Sequence, residues 1–390
     1  MSSAYIQSSE NSHYLAKEAA QGVVPPVGVA NRVLLSGLKM STTHVVPKRA
    51  DRWGSRSIGE PMVAVQKDSS FQFSTYHYVN SAYPNQSTYG ALIEAALGGD
   101  PLFFAGGTVD SQPESNRIRF AAPHNLSKLM AVSRAGEIRF VKQIVDANTV
   151  ELNAPFSAGL PSGSSLDPAF TYTLARSLKT LSLFDYWAPA SSIQRVGRGA
   201  AIDKMKLAVN GDFHTMTFSG PMIEVLDSLS FSPGMGGLSE FPEEPSAVGS
   251  AHAMPVPGHL GQAVLGDSHF YTMTEADVTI NNGVGARSRE FGTVLPRSFV
   301  AGRRAVSFSA SLYVTDEDAT RALYQFASER NTIPVMLQLG DRQGQLMGVY
   351  LPSIVPTFPE YDDRENRVVW HIEKCTAHGS AEDELTIGMA

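Results

Sequence analysis

The chain has 390 residues and a single cysteine, Cys375, so it has room for two or three domains with a sizeable core and cannot form an internal disulfide. A net charge of −7 excludes the broad basic face with which proteins grip nucleic acid, and no apolar stretch approaches the length of a membrane span. Only 18% of residues are charged, while 33 glycines and 23 prolines mark many turns, a balance that suits β-rich domains held partly by subunit contacts.

Residues 1–40 are polar and weakly patterned, which predicts an N-terminal arm with one strand at NRVLLSGL; the start has no basic region leading into an apolar run, so no export signal is expected. A polar loop over 41–62 carries Arg49, Arg52 and Trp53. Phe71, Phe73 and Thr75 then alternate with Gln72, Ser74 and Tyr76, the period of a half-buried strand. After Pro84 the period changes: Ser87 or Thr88 can cap a helix whose stripe is Leu92, Ile93, Ala96 and Leu97, closed by Gly98 and Gly99. Short alternating runs at 117–121, 137–145 and 149–152, with turns at AGE and DAN, predict a small β-barrel-like insert over 112–160.

Strands resume at SLKTLSLFDYW, followed by a hairpin turning at Asn210-Gly211 between Met205, Leu207 and Val209 and Phe213, Met216 and Phe218. Residues 227–268 are rich in Gly, Pro and Ser and read as a linker over a surface. The second half repeats the scheme. A loop over 281–303 carries Arg287, Arg289 and Phe291; Val306, Phe308, Ala310 and Leu312 form one face of a strand. Thr315 or Asp316 starts a helix with the stripe Ala319, Ala322, Leu323, Phe326 and Ala327, ended by Asn331 and Pro334, and further strands follow.

Aligned without gaps, Phe73, Ser74, Tyr78 and Val79 face Phe308, Ser309, Tyr313 and Val314, and upstream Arg49 to Gly54 faces Arg287 to Gly292. The order of arginine loop, strand and helix thus occurs twice, which predicts a duplicated domain. Phe73, Tyr78, Val79, Phe308, Tyr313 and Val314 are then expected at equivalent core positions. The expected division is an arm at 1–40, a first domain at 41–111 and 161–226, the insert at 112–160, a linker at 227–268, a second domain at 269–378 and a tail at 379–390.

No motif for chemistry accompanies this pattern. The ten histidines are scattered; metalloprotease, zinc, EF-hand and nucleophile-elbow motifs are missing; and the glycine pairs near Gly197 and Gly283 lack the rest of a dinucleotide fingerprint. No catalytic residue, cofactor or metal ligand is therefore expected. Acidic pairs such as Glu243/Glu244 and Asp362/Asp363 lie in expected turns.

The succession LIEAALGG, inserted β block, SLKTLSLFDYW, AAIDKMKLAVNGDFHTMTFSG, VTINNG and FVAGRRAVSFSASLYVTDEDATRALYQFASERNTIPVMLQLGD resembles the tail tube (major tail) proteins of long-tailed bacteriophages, the larger type with a duplicated tube domain. The resemblance runs from about 40 to 378. It implies a mainly β (α+β) fold: two tandem tail-tube β-sandwich domains, each flanked by a helix, plus the small inserted domain. It implies a virion protein that stacks as rings, here trimers with pseudo-sixfold symmetry, into the channel for genome delivery. Partners would be the protein itself, a tape measure protein inside, and tail terminator and distal tail or baseplate proteins at the ends, with DNA passing unbound. Arg49, Arg52, Trp53, Arg287, Arg289 and Phe291 would reach the neighbouring ring, with each aromatic packing inside its own domain as the alternative. The competing reading of the pattern is an adhesive or carbohydrate-binding β-sandwich surface protein.

Overall fold

The computed structural model describes residues 5–6, 8–47, 54, 56, 65–80, 83, 87, 89–188, 193–246, 253–288, 290–364 and 366–390. In chain order the first elements are β1 (Asn11–Lys17), β2 (Arg32–Val33), β3 (Ser36–Val45), β4 (Gln66–Tyr76) and α1 (Gly90–Leu97). Next come β5 (Leu102–Phe104), β6 (Gly107–Glu114), β7 (Arg117–Phe120), β8 (Ala131–Arg134), β9 (Glu137–Ile144), β10 (Thr149–Leu152), β11 (Ser165–Leu166) and β12 (Ala169–Thr173). The chain then forms β13 (Thr180–Trp187), β14 (Arg195–Ala201), β15 (Lys204–Val209), β16 (Thr215–Met222) and β17 (Glu224–Asp227). The second half holds β18 (Gly261–Leu265), β19 (Ser268–His269), β20 (Met273–Asn281), β21 (Gly285–Ala286), β22 (Phe299–Val300), β23 (Ala305–Tyr313) and α2 (Asp318–Glu329). It ends with β24 (Ile333–Leu339), β25 (Met347–Ile354), β26 (Glu360–Asp362), β27 (Val369–Thr376) and β28 (Thr386–Met389).

An eight-stranded sheet, β3-β4-β16-β15-β20-β23-β27-β26, is the spine. Cut between β15 and β20, it yields two sets of four in the same order, β3, β4, β15 and β16 matching β20, β23, β26 and β27. The same matching converts the five-stranded sheet β17-β14-β13-β1-β2 into β28-β25-β24-β18-β19, which is the greater part of the seven-stranded sheet. Main-chain bonds repeat as well: Ala188 N–H donates to Glu10 O and Gly340 N–H to Leu260 O, both at 3.0 Å. Two repeats of nine matched strands and one helix are thus joined through a shared sheet, and one apolar core runs through both, from Phe73 and Phe218 to Phe308 and Leu337.

Several boundaries differ from those expected. Residues read as an arm contain β1, which pairs with β13 from His13↔Asp185 to Lys17↔Leu181. Residues read as a linker contain β18, and the tail contains β28, which lies between β25 and β12. The inserted six-stranded sheet, β11-β6-β7-β10-β9-β8, starts before 112 and ends after 160. Its flanking strands β5 and β12 pair with each other and extend the second repeat's outer sheet beside β28.

The helix caps also differ. The N-cap of α2 is Glu317, because Asp316 is engaged by Arg321, and Ser87 accepts a hydrogen bond from Tyr89 N–H (3.3 Å) one residue outside α1. The far end of α1 is as expected: Gly98 has φ +91°, and a Cβ there would meet Ser177 O at 2.3 Å.

Strands of both outer sheets are buried on both faces, as in TLSLFDYW of β13 and IPVMLQL of β24. Over the first repeat the covering layer is the linker: Tyr186 Oη donates to Pro242 O (3.2 Å) and Tyr14 Oη to Glu244 Oε1 (3.2 Å). Over the second repeat it is the insert, where Phe140 stacks on Tyr350 at 5.3 Å. Contact there is close enough that a Cβ at Gly388 would meet Ala131 at 2.6 Å.

Candidate assembly surfaces

The spine sheet buries one face and exposes the other. On β23, Val306, Phe308, Ala310 and Leu312 point inward, leaving Ser307, Ser309 and Ser311 outward; on β4 the outward residues include Ser70, Gln72 and Ser74. Hydroxyls pair across strands, as in Ser74 Oγ and Thr217 Oγ1 at 3.0 Å. Along the described strands of this face Lys39, Lys204, Lys206 and Lys374 are outnumbered by Asp68, Glu275, Asp277, Glu360, Asp362 and Glu373, and Lys206 is paired with Asp277 at 3.0 Å. Such a surface is hydrated, weakly acidic and poor in phosphate-binding groups.

The edges of the sheet are its second feature. Where the repeats meet, β15 pairs with β20 from Lys204↔Asn281 to Val209↔Ala276. The matching strands at the outer edges, β26 and β3, each pair on one side only among the described residues, with β27 and β4. Beside the β26 edge lies an aromatic cluster in which Tyr324, Phe358 and Tyr361 are exposed while Trp370 beneath them is buried. Tyr361 and Tyr324 sit 5.7 and 5.8 Å from Trp370, and Phe358 5.9 Å from Tyr324. By the repeat, Tyr361 matches Val209, which the second repeat buries.

The two arginine loops connect β3 to β4 and β20 to β23, so both leave the same end of the sheet, and Lys67 N–H donates to Val294 O (3.0 Å) between them. Phe291 at the tip of the second loop is fully exposed and Val294 and Val300 are partly so, hence Phe291 does not pack inside its own domain. Arg287 is held by Glu290, which also takes Arg297 at 3.2 Å. Arg49, Arg52, Trp53 and Arg289 lie outside the described residues. At the opposite end the exposed charges are of both signs: Asp212, Asp316, Glu317, Asp318 and Asp363 outnumber Arg321, Arg364 and Arg367.

Phe73 and Phe308 are both buried, on matching strands. Tyr78, Tyr313 and Val314 are half-buried, whereas Val79 is 39% exposed and is not core. The reason is that β4 ends at Tyr76, so the gapless alignment carried the strand pattern beyond the strand.

Nothing resembling a reaction centre accompanies these surfaces. Among the described residues no three His, Cys, Asp or Glu side chains are placed to hold a metal, and burial pushes the Cys375 thiol above its usual range. His77 and His214 are buried where the end of the first repeat meets the second, and burial lowers each to about 4; His77 Nε2 lies 2.8 Å from Gln345 O. Their folded-state values are below the unfolded value near 6.5, so the unfolded chain binds protons first as pH falls. Stability is therefore complete above about 6.5 and decreases toward pH 4. At pH 5 the loss is roughly 2 kcal/mol per histidine. Thermal melts from pH 7.5 to 4.5 should show this slope, and His77→Gln, which keeps an N–H donor, should reduce it by about half; an unchanged slope would remove His77 from the account.

A family model described as phage tail tube protein matches residues 8–353, from before β1 into β25, which takes in the first repeat and the greater part of the second. No curated protein matches the chain. No helix among the described residues is long and apolar enough to cross a membrane. The match and the mainly β architecture agree: the chain belongs to the phage tail tube family, a structural virion protein that assembles with itself into the tail tube.

Proposed function

We propose that three copies close into a ring with pseudo-sixfold symmetry, and that stacked rings form the channel through which the genome leaves the virion. One observation carries the reading: the seam β15-β20 is made inside the chain, while the equivalent edges β26 and β3 are left open. Joining β26 of one subunit to β3 of the next repeats the internal seam, and a repeated rotation of this kind closes a ring. Matched through the paired strands, Glu360 would lie opposite Ser36, as Ala208 lies opposite Asp277. The hydroxyl-rich face of the spine would then line the channel, where scarce, outnumbered lysines let DNA pass without being held. In this reading the repeats comprise residues 11–101 with 174–227 and residues 261–389, and the insert faces outward. A tape measure protein would occupy the lumen, with terminator and distal tail or baseplate proteins at the ends.

Stacking would be heterologous, basic loops at one end of a ring against the end of the next that carries Asp212, Glu317 and Asp363. Between Asn282 and Arg304 the second loop holds five arginines, at 287, 289, 297, 303 and 304, and one carboxylate, Glu290. Replacing Trp53 and Phe291 together by serine should give rings that no longer stack; tubes of normal length would dispose of that role. The ring itself is tested by sedimentation and negative-stain microscopy of the purified protein. Hollow tubes or rings of three chains are expected, and a compact monomer at all concentrations would overturn the proposal.

A further inference from the structure

The residues that precede β18 cross the end of the first repeat before the second repeat begins. Val256 N–H donates to His77 O (2.8 Å), Val79 N–H to Met254 O (3.2 Å) and Gly258 N–H to Asp212 O (2.7 Å), and Val256 is fully buried. The crossing ends at Leu260, whose carbonyl accepts from Gly340 N–H as β18 starts at Gly261. Glu10 makes the matching bond with Ala188 as β1 starts at Asn11. Counting back from these two carbonyls, Ile6 is the counterpart of Val256 and Tyr5 of Pro255. Unlike Val256, Ile6 is 46% exposed and Tyr5 93% exposed.

We propose that the segment from Tyr5 to Glu10 crosses the end of the second repeat of the preceding subunit, as the segment before β18 crosses the first repeat within one chain. The inference rests on the ring reading and names a second contact at each seam. Carried through the paired strands, the landing residues His77 and Asp212 become Leu312 and Val368. A cleft of about 630 Å³ lies there, lined by Tyr271, Met273, Tyr313, Val314, Arg367 and Val368. Tyr271 and Val368 are exposed in the single chain and would be covered by the incoming apolar side chains. The main-chain contacts must differ from those of the internal crossing: there Pro255 and Pro257 bridge Tyr78 and Phe213, whereas β23 and β27 pair directly at Leu312↔Trp370 and Tyr313↔Val369, and Val314 N–H donates to Val368 O (3.0 Å). Side-chain burial of Ile6 and Tyr5 therefore has a larger share of the contact than Val256 has.

The test is disulfide trapping in the full chain. Ile6→Cys and Val368→Cys, combined with Cys375→Ser, are assembled, oxidised and run on a denaturing gel without reductant. Covalent dimers and trimers are expected. If micrographs show rings but the gel shows only monomer, or a faster-migrating internally bridged monomer, the crossing is wrong while the ring stands; if the unmodified protein forms no rings, both fall. As a second measure, Ile6→Asp should raise the concentration needed for assembly roughly tenfold, about 1.4 kcal/mol, with the monomer's melting temperature unchanged. Assembly at the normal concentration would overturn the proposal.

Discussion

Replacing Phe358 and Tyr361 with serine is expected to give a folded monomer that no longer forms tubes. Both side chains lie over Trp370 and Tyr324 at the open β26 edge, where solvent stands in place of a neighbouring strand. Inside the chain the matching position, Val209, is buried by the second repeat. Covering an aromatic side chain contributes roughly 1.5–3 kcal/mol, so losing two weakens each seam by at least a hundredfold. The monomer should be little affected, because the same two rings are already exposed there. Sedimentation velocity and negative-stain images report assembly, and circular dichroism with a thermal melt reports the fold. Tubes formed by the double variant at wild-type concentration would show that the seam lies elsewhere.

Removing the Arg139 side chain should be among the most destabilising single changes in the subunit. Arg139 is fully buried between the insert and the second repeat. Its Nε donates to Pro155 O (2.8 Å), Nη1 to Ile138 O (2.8 Å) and Gln338 Oε1 (3.3 Å), and Nη2 to Glu137 Oε2 (2.9 Å) and Gln262 Oε1 (3.1 Å). Phe156 lies 5.3 Å from the guanidinium carbon. Arg139→Ala takes a donor from Gln262 and from two carbonyls and leaves Glu137 unbalanced, at a cost of about 3–5 kcal/mol, while Gln338 keeps the N–H of Ile138. Arg139→Met combined with Glu137→Gln, which fills the space and removes the unbalanced charge, should restore much of that loss, while Gln338 keeps its bonds to Ile138 N–H, Gly136 O and Gly340 O. Chemical denaturation decides the matter: a loss below 1 kcal/mol for the alanine variant would mean that water reaches the site. The same interface alters what deleting the insert can show, since Tyr350 and Met336 lose their cover with it. A deletion variant therefore needs polar replacements at those two positions before its rings are compared with the wild type.

Some of this was legible in the residues. The alternation over 306–313 and the stripe of α2 follow from local geometry, because a strand turns over every residue and a helix every 3.6. The hairpin at Asn210-Gly211 is equally local: Asn210 Oδ1 accepts from the N–H groups of Asp212 and Phe213. Other parts had no local mark. NSHYLAK of β1 is buried on both faces over its centre and so shows no alternation. Its polar His13 lies 3.0 Å from Asn11 Nδ2 and 3.6 Å from Asp185, which stands on a strand more than 160 residues later. Gln262 and Gln338 look like outward positions of β18 and β24, yet Gln338 is buried and Gln262 half-buried where Arg139 of the insert reaches them.

The sequence by itself determined the mainly β class, the two helices, the duplication and the family, since each is carried by short-range periodicity or by the order of segments along the chain. Only the tertiary structure decided that the first residues and the last belong to sheets, that linker and insert each cover one outer sheet, and that β3 and β26 remain open. Those outcomes depend on hydrogen-bond pairing between distant strands, which leaves no periodic trace in either partner. An open edge is recognisable only after every other strand has found its neighbour.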